Sequence, residues 1–386
     1  MNKTIKVLLL SFAAMLCVIS AQAQVTTSAL NGRVADGSGV SVVGATVVAV
    51  HTPSGTTYYS VTNANGQYAI NGMRVGGPYK VEISCLGYAT VTYTDVTLEL
   101  GESFGLNATL ADDSELLAEA KVISTASSKF ATERTGAATT ISGKEIASVP
   151  TVDRSITDIT RLSPYGGNGM SFAGTDGRLG NFTVDGANFN NNFGLSDGLP
   201  GGGSPISIDA LEEMQVVISP YDVRQSNFIG GGVNAVTKSG TNTFRATAFV
   251  THQNENMRGD TVDGTQINGA RDKDRTTTFG FSLGGPILKN KLFFYVNAEF
   301  EQSPNVPVRW RGSEDGKSDA NNYISRTTNA DLAKVSEFVK SKYGYDTGSW
   351  TSFPANVNCR KILAKIDWNI TDNHHLTVRY NNTVNN

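Results

Sequence analysis

Cysteine and histidine are both scarce in this chain of 386 residues, with three and four copies. Cys17 falls in an N-terminal apolar run, and Cys85 and Cys359 are about 270 residues apart, so no disulfide scaffold is encoded. A Cys85–Cys359 bridge stays open as an alternative, but two buried, unbridged thiols is the favoured reading. His51, His252, His374 and His375 show no His/Cys/Asp ligand spacing, and His374-His375 reads as a solvated turn. Asp176, Asp185 and Asp197 could meet around a calcium ion only in principle; without a ligand-loop pattern they read as turn formers. There is no Gly-x-Ser-x-Gly elbow, and no Lys-Ser/Thr follows Gly201-Gly202-Gly203 to make a phosphate loop. These absences argue against an enzyme, a metal or a cofactor.

Positive charge is not in excess either. The formal net charge of −3 argues against nucleic acid as a partner. No stretch approaches the 18 apolar residues of a transmembrane helix. Proline is low at 11, while glycine reaches 40 alongside many Thr and Asn, the composition of a turn-rich β protein.

The N-terminus reads as an address. Lys3 and Lys6 precede an apolar run, Val7 to Ile19, and Ala21-Gln22-Ala23 is a small-x-small cleavage site before Gln24. The run is too short to span a bilayer comfortably, so removal of residues 1–23, and export, are expected. Cys17 lacks the small residues that would precede a lipid anchor. Removal takes away Lys3 and Lys6, moves the charge from −3 to −5 and leaves about 363 residues, enough for two or three domains.

Residues 24–110 read as a small β-sandwich. Candidate strands Ala29 to Val34, Gly44 to Val50, Tyr58 to Thr62, Tyr68 to Ile70, Tyr79 to Ser84 and Ala89 to Tyr93 recur at sandwich spacing. Asn65-Gly66 is a two-residue hairpin signal. Residues 111–128 form a linker that holds Glu119-Ala120-Lys121-Val122-Ile123-Ser124-Thr125, a strand-forming segment with no evident partner. It is either a plain linker or a docking strand that adds to a partner's sheet edge.

Residues 129–240 mix helices and strands. Gly143 to Val149 and Ser155 to Leu162 read as short helices, the first with a Ser142–Glu145 capping box and the second capped by Asp153. Asn181 to Gly186 is a strand ending in a tight turn, and Asn188 to Gly203 a Gly- and Asn-rich loop. Ile208 to Glu213 reads as a short helix running into a strand from Met214 to Ile218.

The pattern changes across Ser219 to Thr243, where Gly230-Gly231-Gly232 feeds a short apolar strand and a Gly-containing break. Beyond it, five segments alternate in polarity: Phe244 to Thr251, Phe279 to Gly284, Leu292 to Gln302, Lys361 to Ile370 and Leu376 to Tyr380. In the fourth, Ile362, Ala364, Ile366, Trp368 and Ile370 oppose Lys361, Lys365, Asp367 and Asn369. A half-buried soluble sheet alternates in the same way, but the connectors run long, short, long, short, as in an outer-membrane barrel. Within the longest connector, Leu332, Val335, Phe338 and Val339 predict a helix over Asp331 to Lys342, packed locally on the barrel mouth.

Together these features resemble a TonB-dependent outer-membrane receptor of the Bacteroidetes type, in its Oar-like, OmpA-related subgroup. Gly32-Arg33-Val34, Gly44-Ala45-Thr46-Val47, Thr62 to Tyr68 and Gly87-Tyr88 are similar to a carboxypeptidase regulatory-like domain. Asn181 to Gly186, Leu211 to Pro220 and Gly230 to Gly240 are similar to strands of the receptor plug. The run Pro220 to Gln225, with Gly284-Gly285-Pro286-Ile287 and Asn290 to Phe294, carries the subgroup.

The resemblance implies energised import through a plugged barrel. It places the TonB box at Glu119, Ala120, Lys121, Val122, Ile123, Ser124 and Thr125, and plug-motif residues at Asp185, Gly186, Arg224, Gly230, Gly231 and Gly232. It implies the periplasmic C-terminal domain of TonB and its inner-membrane motor as partners, with outer-membrane lipid around the barrel. It also implies an unidentified extracellular ligand (oligosaccharide, metal chelate or peptide) and a substrate-binding lipoprotein as a further partner. Asn188 to Gly203 and Ser303 to Asn358 are the candidate ligand-reading loops.

The expected architecture is mainly β. A transthyretin-like β-sandwich at 24–110 and a linker at 111–128 precede an α+β plug at 129–240. About five strands of an incomplete transmembrane antiparallel β-barrel follow at 241–386. Five strands, against about 22 in such transporters, cannot close a barrel, so the chain is expected to be the N-terminal part of a longer protein. A surface adhesin or assembly protein displaying the sandwich is the competing reading. An enzyme accessory module accounts for 24–110 only.

Overall fold

A computed structural model of the chain describes residues 25–112, 121–124, 137–151, 154–190, 199, 204–220, 225–257, 259–266, 275–305, 310–348, 355–372 and 374–385. The N-terminal address, Glu119, Ala120, Thr125, Asp153, Asp197, Arg224 and most of the 188–203 loop lie outside the described residues.

The first unit contains β1 (Ser28–Asp36), β2 (Thr46–His51), β3 (Thr56–Val61), β4 (Gln67–Met73), β5 (Gly76–Ser84), β6 (Val91–Leu98), β7 (Ser103–Gly105) and β8 (Ala108–Leu110), with β9 (Lys121–Ser124) following. One sheet runs β4-β1-β7 with β8 also on β1, and the other runs β3-β2-β5-β6-β9. Alternate side chains of each strand point inward, so Val47, Ala49, Val81 and Ile83 meet Leu30 and Val34 in a closed apolar core. The Asn65-Gly66 turn is not a hairpin, because β3 and β4 belong to different sheets. The Asn63 side-chain oxygen accepts from the amides of Asn65 and Gln67 at 2.9 and 3.0 Å, making an Asx turn that carries the chain between layers. Tyr68, Ile70 and Met73 can then cover the core from the opposite side. The linker segment without an evident partner has one: β9 pairs in parallel with β6, from Val91↔Lys121 to Thr94↔Ser124.

The middle unit contains β10 (Ala137–Ser142), α1 (Gly143–Ser148), α2 (Ile156–Thr160), β11 (Asn181–Val184), β12 (Ala187–Asn188), β13 (Leu211–Ser219) and β14 (Gly232–Thr237). Its sheet runs β10-β13-β14-β11-β12. Ile146, Ile156 and Ile159 of the helices pack with Phe172, Phe182, Met214, Val216 and Val233. Ser142 and Glu145 form the expected capping box. The second helix is capped by Ser155, whose hydroxyl accepts from the Thr157 amide at 3.3 Å, rather than by Asp153. The expected helix at Ile208 to Glu213 shrinks to one 3-10 turn, Ile208–Ala210, and Leu211 already belongs to β13. β13 is central and covered on both faces, so its burial does not alternate and its start is hidden in the sequence.

The third unit is a meander of β15 (Arg245–Asn254), β18 (Arg275–Leu288), β19 (Leu292–Asn305), β22 (Ala355–Thr371) and β23 (His374–Asn385). Neighbours in that order pair antiparallel. These are the five anticipated strands, each longer than expected. The first long connector holds β16 (Thr261–Val262) and β17 (Thr265–Gln266). The second holds β20 (Arg311–Ser313), β21 (Ile324–Thr328) and α3 (Asn329–Tyr343). The anticipated helix is therefore present, but Val335 and Phe338 stay exposed and its main neighbours are β20 and β21. It is an element of the loop, not a helix seated on the sheet.

This sheet, the wall, reverses the usual rule of burial. Ser282, Asn297, Glu299, Lys361, Lys365 and Asp367 are buried. Phe279, Phe281, Leu283, Ile366, Trp368 and Val378, on the opposite face, are exposed. The polar face is covered by the middle unit, whose core takes in Tyr295 and Leu363 of the wall. No disulfide joins Cys85 to Cys359; Cys85 is half-buried, not buried as anticipated, and Cys359 is buried.

Candidate functional site between the middle unit and the wall

The tip of the β11–β12 hairpin forms the centre of this boundary. Val184 pairs with Ala187, leaving Asp185 and Gly186 as a two-residue loop. Their φ angles of 44° and 82° are both left-handed, as a type I′ turn requires, and Asp-Gly is a favoured pair for it. The turn aims the Asp185 carboxylate at the wall. It accepts from the Thr237 amide at 2.7 Å and pairs with Arg379 of β23 at 2.9 Å. Arg379 also donates to the Val184 carbonyl at 2.6 Å, and Lys365 of β22 donates to the Thr237 carbonyl at 3.1 Å. Burial alone would raise the Asp185 pKa, but Lys365, the Thr237 bonds and Arg379 outweigh it and hold the carboxyl below its ordinary range.

A second contact is fully enclosed. Glu299 of β19 and Lys361 of β22 lie 2.8 Å apart, both buried, and the Ser207 hydroxyl donates to the other Glu299 oxygen at 2.6 Å. Nearby, Arg154 pairs with Asp209 at 2.8 Å, and the Thr383 hydroxyl donates to the Pro205 carbonyl at 2.6 Å. Buried charges are tolerated only when paired and hydrogen-bonded, and these are. The arrangement clamps a mixed α/β sheet onto a strand wall; the groups it brings together are ion pairs and main-chain acceptors.

Gly230, Gly231 and Gly232 stand at the other end of the β11–β14 pair, where Gly232 lies opposite Asn181. A Cβ on Gly231 would come within 2.6 Å of the Phe172 ring, and one on Gly232 within 2.9 Å of Phe228. They are close-packing positions, not neighbours of Asp185. Asp176 caps a 3-10 turn and pairs with Arg178 at 2.6 Å, so it does not converge with Asp185. Among the described residues no group of three His, Cys, Asp or Glu side chains is placed to hold a metal.

The sandwich grips the same two units. Glu213 of β13 accepts from the Leu100 amide at 2.7 Å, and the Gln215 side chain donates to the Leu100 carbonyl at 2.6 Å. Burial pushes the Glu213 carboxyl up to about 8; the Leu100 bond opposes this, and Glu99, Glu212 and Glu102 add to it. Arg74 meets Asp367 of β22 at 3.1 Å. Burial, then the Arg74 charge, lower the His51 pKa to about 3, which keeps that ring neutral. A cleft of about 750 Å³ lies between the three units, lined in part by Arg74, Asp185, Glu212, Lys238, Lys365 and Arg379. Sequence reasoning singled out Asp185 and Gly186 but missed Glu213, Glu299, Lys361, Lys365 and Arg379 as site residues. For Glu299, Lys361, Lys365 and Arg379 the signal was charge on the polar face of a strand, which alone does not say what covers that face.

A polar-in, apolar-out antiparallel meander with alternating short and long connectors is the wall of an outer-membrane β-barrel protein. Residues 236–308 match the outer membrane beta barrel domain model, and residues 29–111 match the carboxypeptidase regulatory-like domain model. The chain thus combines these two domains. It is similar to the TonB-dependent transporter Oar of Myxococcus xanthus, with 31% identity over 151 residues that cover 37% of this chain. The match covers 14% of that relative's length. Among solved structures, the outer membrane transporter YddB from Escherichia coli gives a TM-score of 0.44 at 13% identity, covering 64% of this chain and 33% of that one. The siderophore receptor PirA from Pseudomonas aeruginosa gives 0.41 at 15%, covering 66% and 34%.

Proposed function

We propose that this chain is the plug-bearing part of a TonB-dependent outer-membrane transporter, exported by residues 1–23. The reversed burial of the five-stranded sheet carries this reading: its charged face is paired to the middle unit and its apolar face is left for lipid. In this reading residues 129–240 are the plug, and Asp185, Gly186 and Gly230 to Gly232 fix its strands. Glu119 to Thr125 is the TonB box, captured by strand addition. Arg224 belongs to the same plug motif. The imported ligand stays open among oligosaccharides, metal chelates and peptides, with a substrate-binding lipoprotein as a further candidate partner.

The test is deletion of Glu119 to Thr125 in the full-length protein, read by periplasmic cross-linking to TonB. Cross-linking should disappear while surface display is unchanged. A surface adhesin or assembly protein would give no TonB cross-link before or after the deletion, and that result overturns the reading.

A further inference from the structure

The sandwich reaches the wall through the tip of its β2–β3 hairpin. The tip is a tight turn in which the His51 carbonyl accepts from the amides of Ser54 and Gly55 at 3.2 and 2.7 Å. Gly55, at a left-handed φ of 65°, abuts Asn290 in the short connector between β18 and β19; a Cβ on it would lie 3.4 Å from the Asn290 Cβ. On either side of it, the Pro53 carbonyl accepts from the Asn242 amide at 2.8 Å, and the Thr56 hydroxyl accepts from the Asn369 side chain at 3.0 Å. The Tyr58 ring lies 5.7 Å from that of His375. Asn242 precedes β15, Asn369 is near the end of β22 and His375 near the start of β23, so the seat uses the same end of all five wall strands.

That end carries the short connectors, which in an outer-membrane barrel face the periplasm. The sandwich therefore lies across the periplasmic end of the boundary between the middle unit and the wall, and His51, Pro53, Tyr58 and Arg74 form one side of the cleft there. Its ties to its two neighbours differ in kind. Both backbone groups of Leu100 are bonded by buried side chains of the central strand β13, Glu213 and Gln215. The wall contacts lie at a rim, where Asn290 is exposed and Asn242 and Asn369 are half-buried, so water can take over their bonds. Asp367 keeps the Thr377 hydroxyl at 2.8 Å when Arg74 leaves it.

From this asymmetry we infer that the sandwich is a second closure in series with the middle unit. It is a cover carried by β13 that leaves its seat on the wall before cargo passes from the cleft to the periplasm. This rests on the transporter reading above and adds an exit gate to it.

Trapping the seat tests it. Gly55→Cys and Asn290→Cys, with Cβ atoms about as close as a disulfide needs, are combined with Cys85→Ser in the full-length protein. Disulfide formation under mild oxidant is followed by peptide mass in cells with and without TonB. Pro53→Cys with Asn242→Cys, whose backbones are one hydrogen bond apart, gives the same readout if a side chain at the Gly55 φ keeps the first pair from reaching the membrane. The disulfide should form without TonB and at least threefold more slowly with it. No disulfide from either pair overturns the seat. Equal rates in cells that give the TonB cross-link described above overturn the unseating and leave the transporter reading standing. Cells that give no TonB cross-link sink the transporter reading and the gate with it, while the disulfide still reports the seat.

Discussion

Asp185 and Arg379 sit 2.9 Å apart, one at the tip of a hairpin in the middle unit and the other on the last strand of the wall, 194 positions later in sequence. Both side chains are largely shielded from solvent, so removing one leaves the other's charge in a poor environment. Asp185→Asn should cost about 2–3 kcal/mol, somewhat less than the loss for a fully buried pair. Arg379→Met should cost a similar amount, and the double variant less than the sum. Urea unfolding of the detergent-solubilised protein checks this; strict additivity would show that the pair is not coupled.

Glu213 gives a pH dependence whose sign is fixed. Its carboxyl is raised from 4.5 to about 8 in the folded protein by burial and by Glu99, Glu212 and Glu102, despite the Leu100 bond. Its contribution to stability is therefore complete below about 4.5 and is lost as pH rises toward about 8. Hydrogen exchange at the Leu100 amide should accelerate over that window beyond its ordinary base-catalysed rise. Glu213→Gln keeps an acceptor and cannot ionise, so it should remove the excess.

Gly240 lies where the chain leaves the middle unit for the wall. A Cβ there would run into the Phe294 carbonyl oxygen and stand 2.7 Å from that of Gly285. Both obstacles are backbone and cannot rotate away. Gly240→Ala should block assembly of a protease-resistant protein, whereas Gly37→Ala, with nothing within 4 Å of the added carbon, should change stability by less than about 0.5 kcal/mol.

The outward face of the wall offers a test of its surroundings. Phe281 is about half exposed on that face. In lipid, Phe281→Lys should cost about 2–4 kcal/mol if the site is near the midplane, and heat-resistant folding in vesicles should drop. In water the same change would be almost neutral. A neutral result in vesicles would place this face away from the membrane.

Much of the wall was legible because strand periodicity is a local property. Ile362, Ala364, Ile366 and Trp368 alternate with Lys361, Lys365 and Asp367, and no tertiary information is needed to see two faces. The Ser142–Glu145 capping box and the Asp185-Gly186 turn were legible for the same reason: each is settled within four residues. Asn65-Gly66 shows the limit. The turn was real, but a turn reverses the chain without choosing the strand that the returning segment pairs with. β13 shows another limit: a strand covered on both faces loses the alternation that would mark its start.

The sequence by itself determined the mainly β character, the five wall strands with their two faces, and the strand-forming nature of Lys121–Ser124. These follow from side-chain period and backbone propensity. Only the tertiary structure decided which face of the wall is inside, that Asp185 meets Arg379 and Glu299 meets Lys361, that Leu100 is held by Glu213 and Gln215, and that β9 rests on β6. Those pairings join residues from about 30 to nearly 200 positions apart. They depend on which surfaces close against each other, a choice made by the burial of charge and apolar area across the whole chain rather than within any one segment.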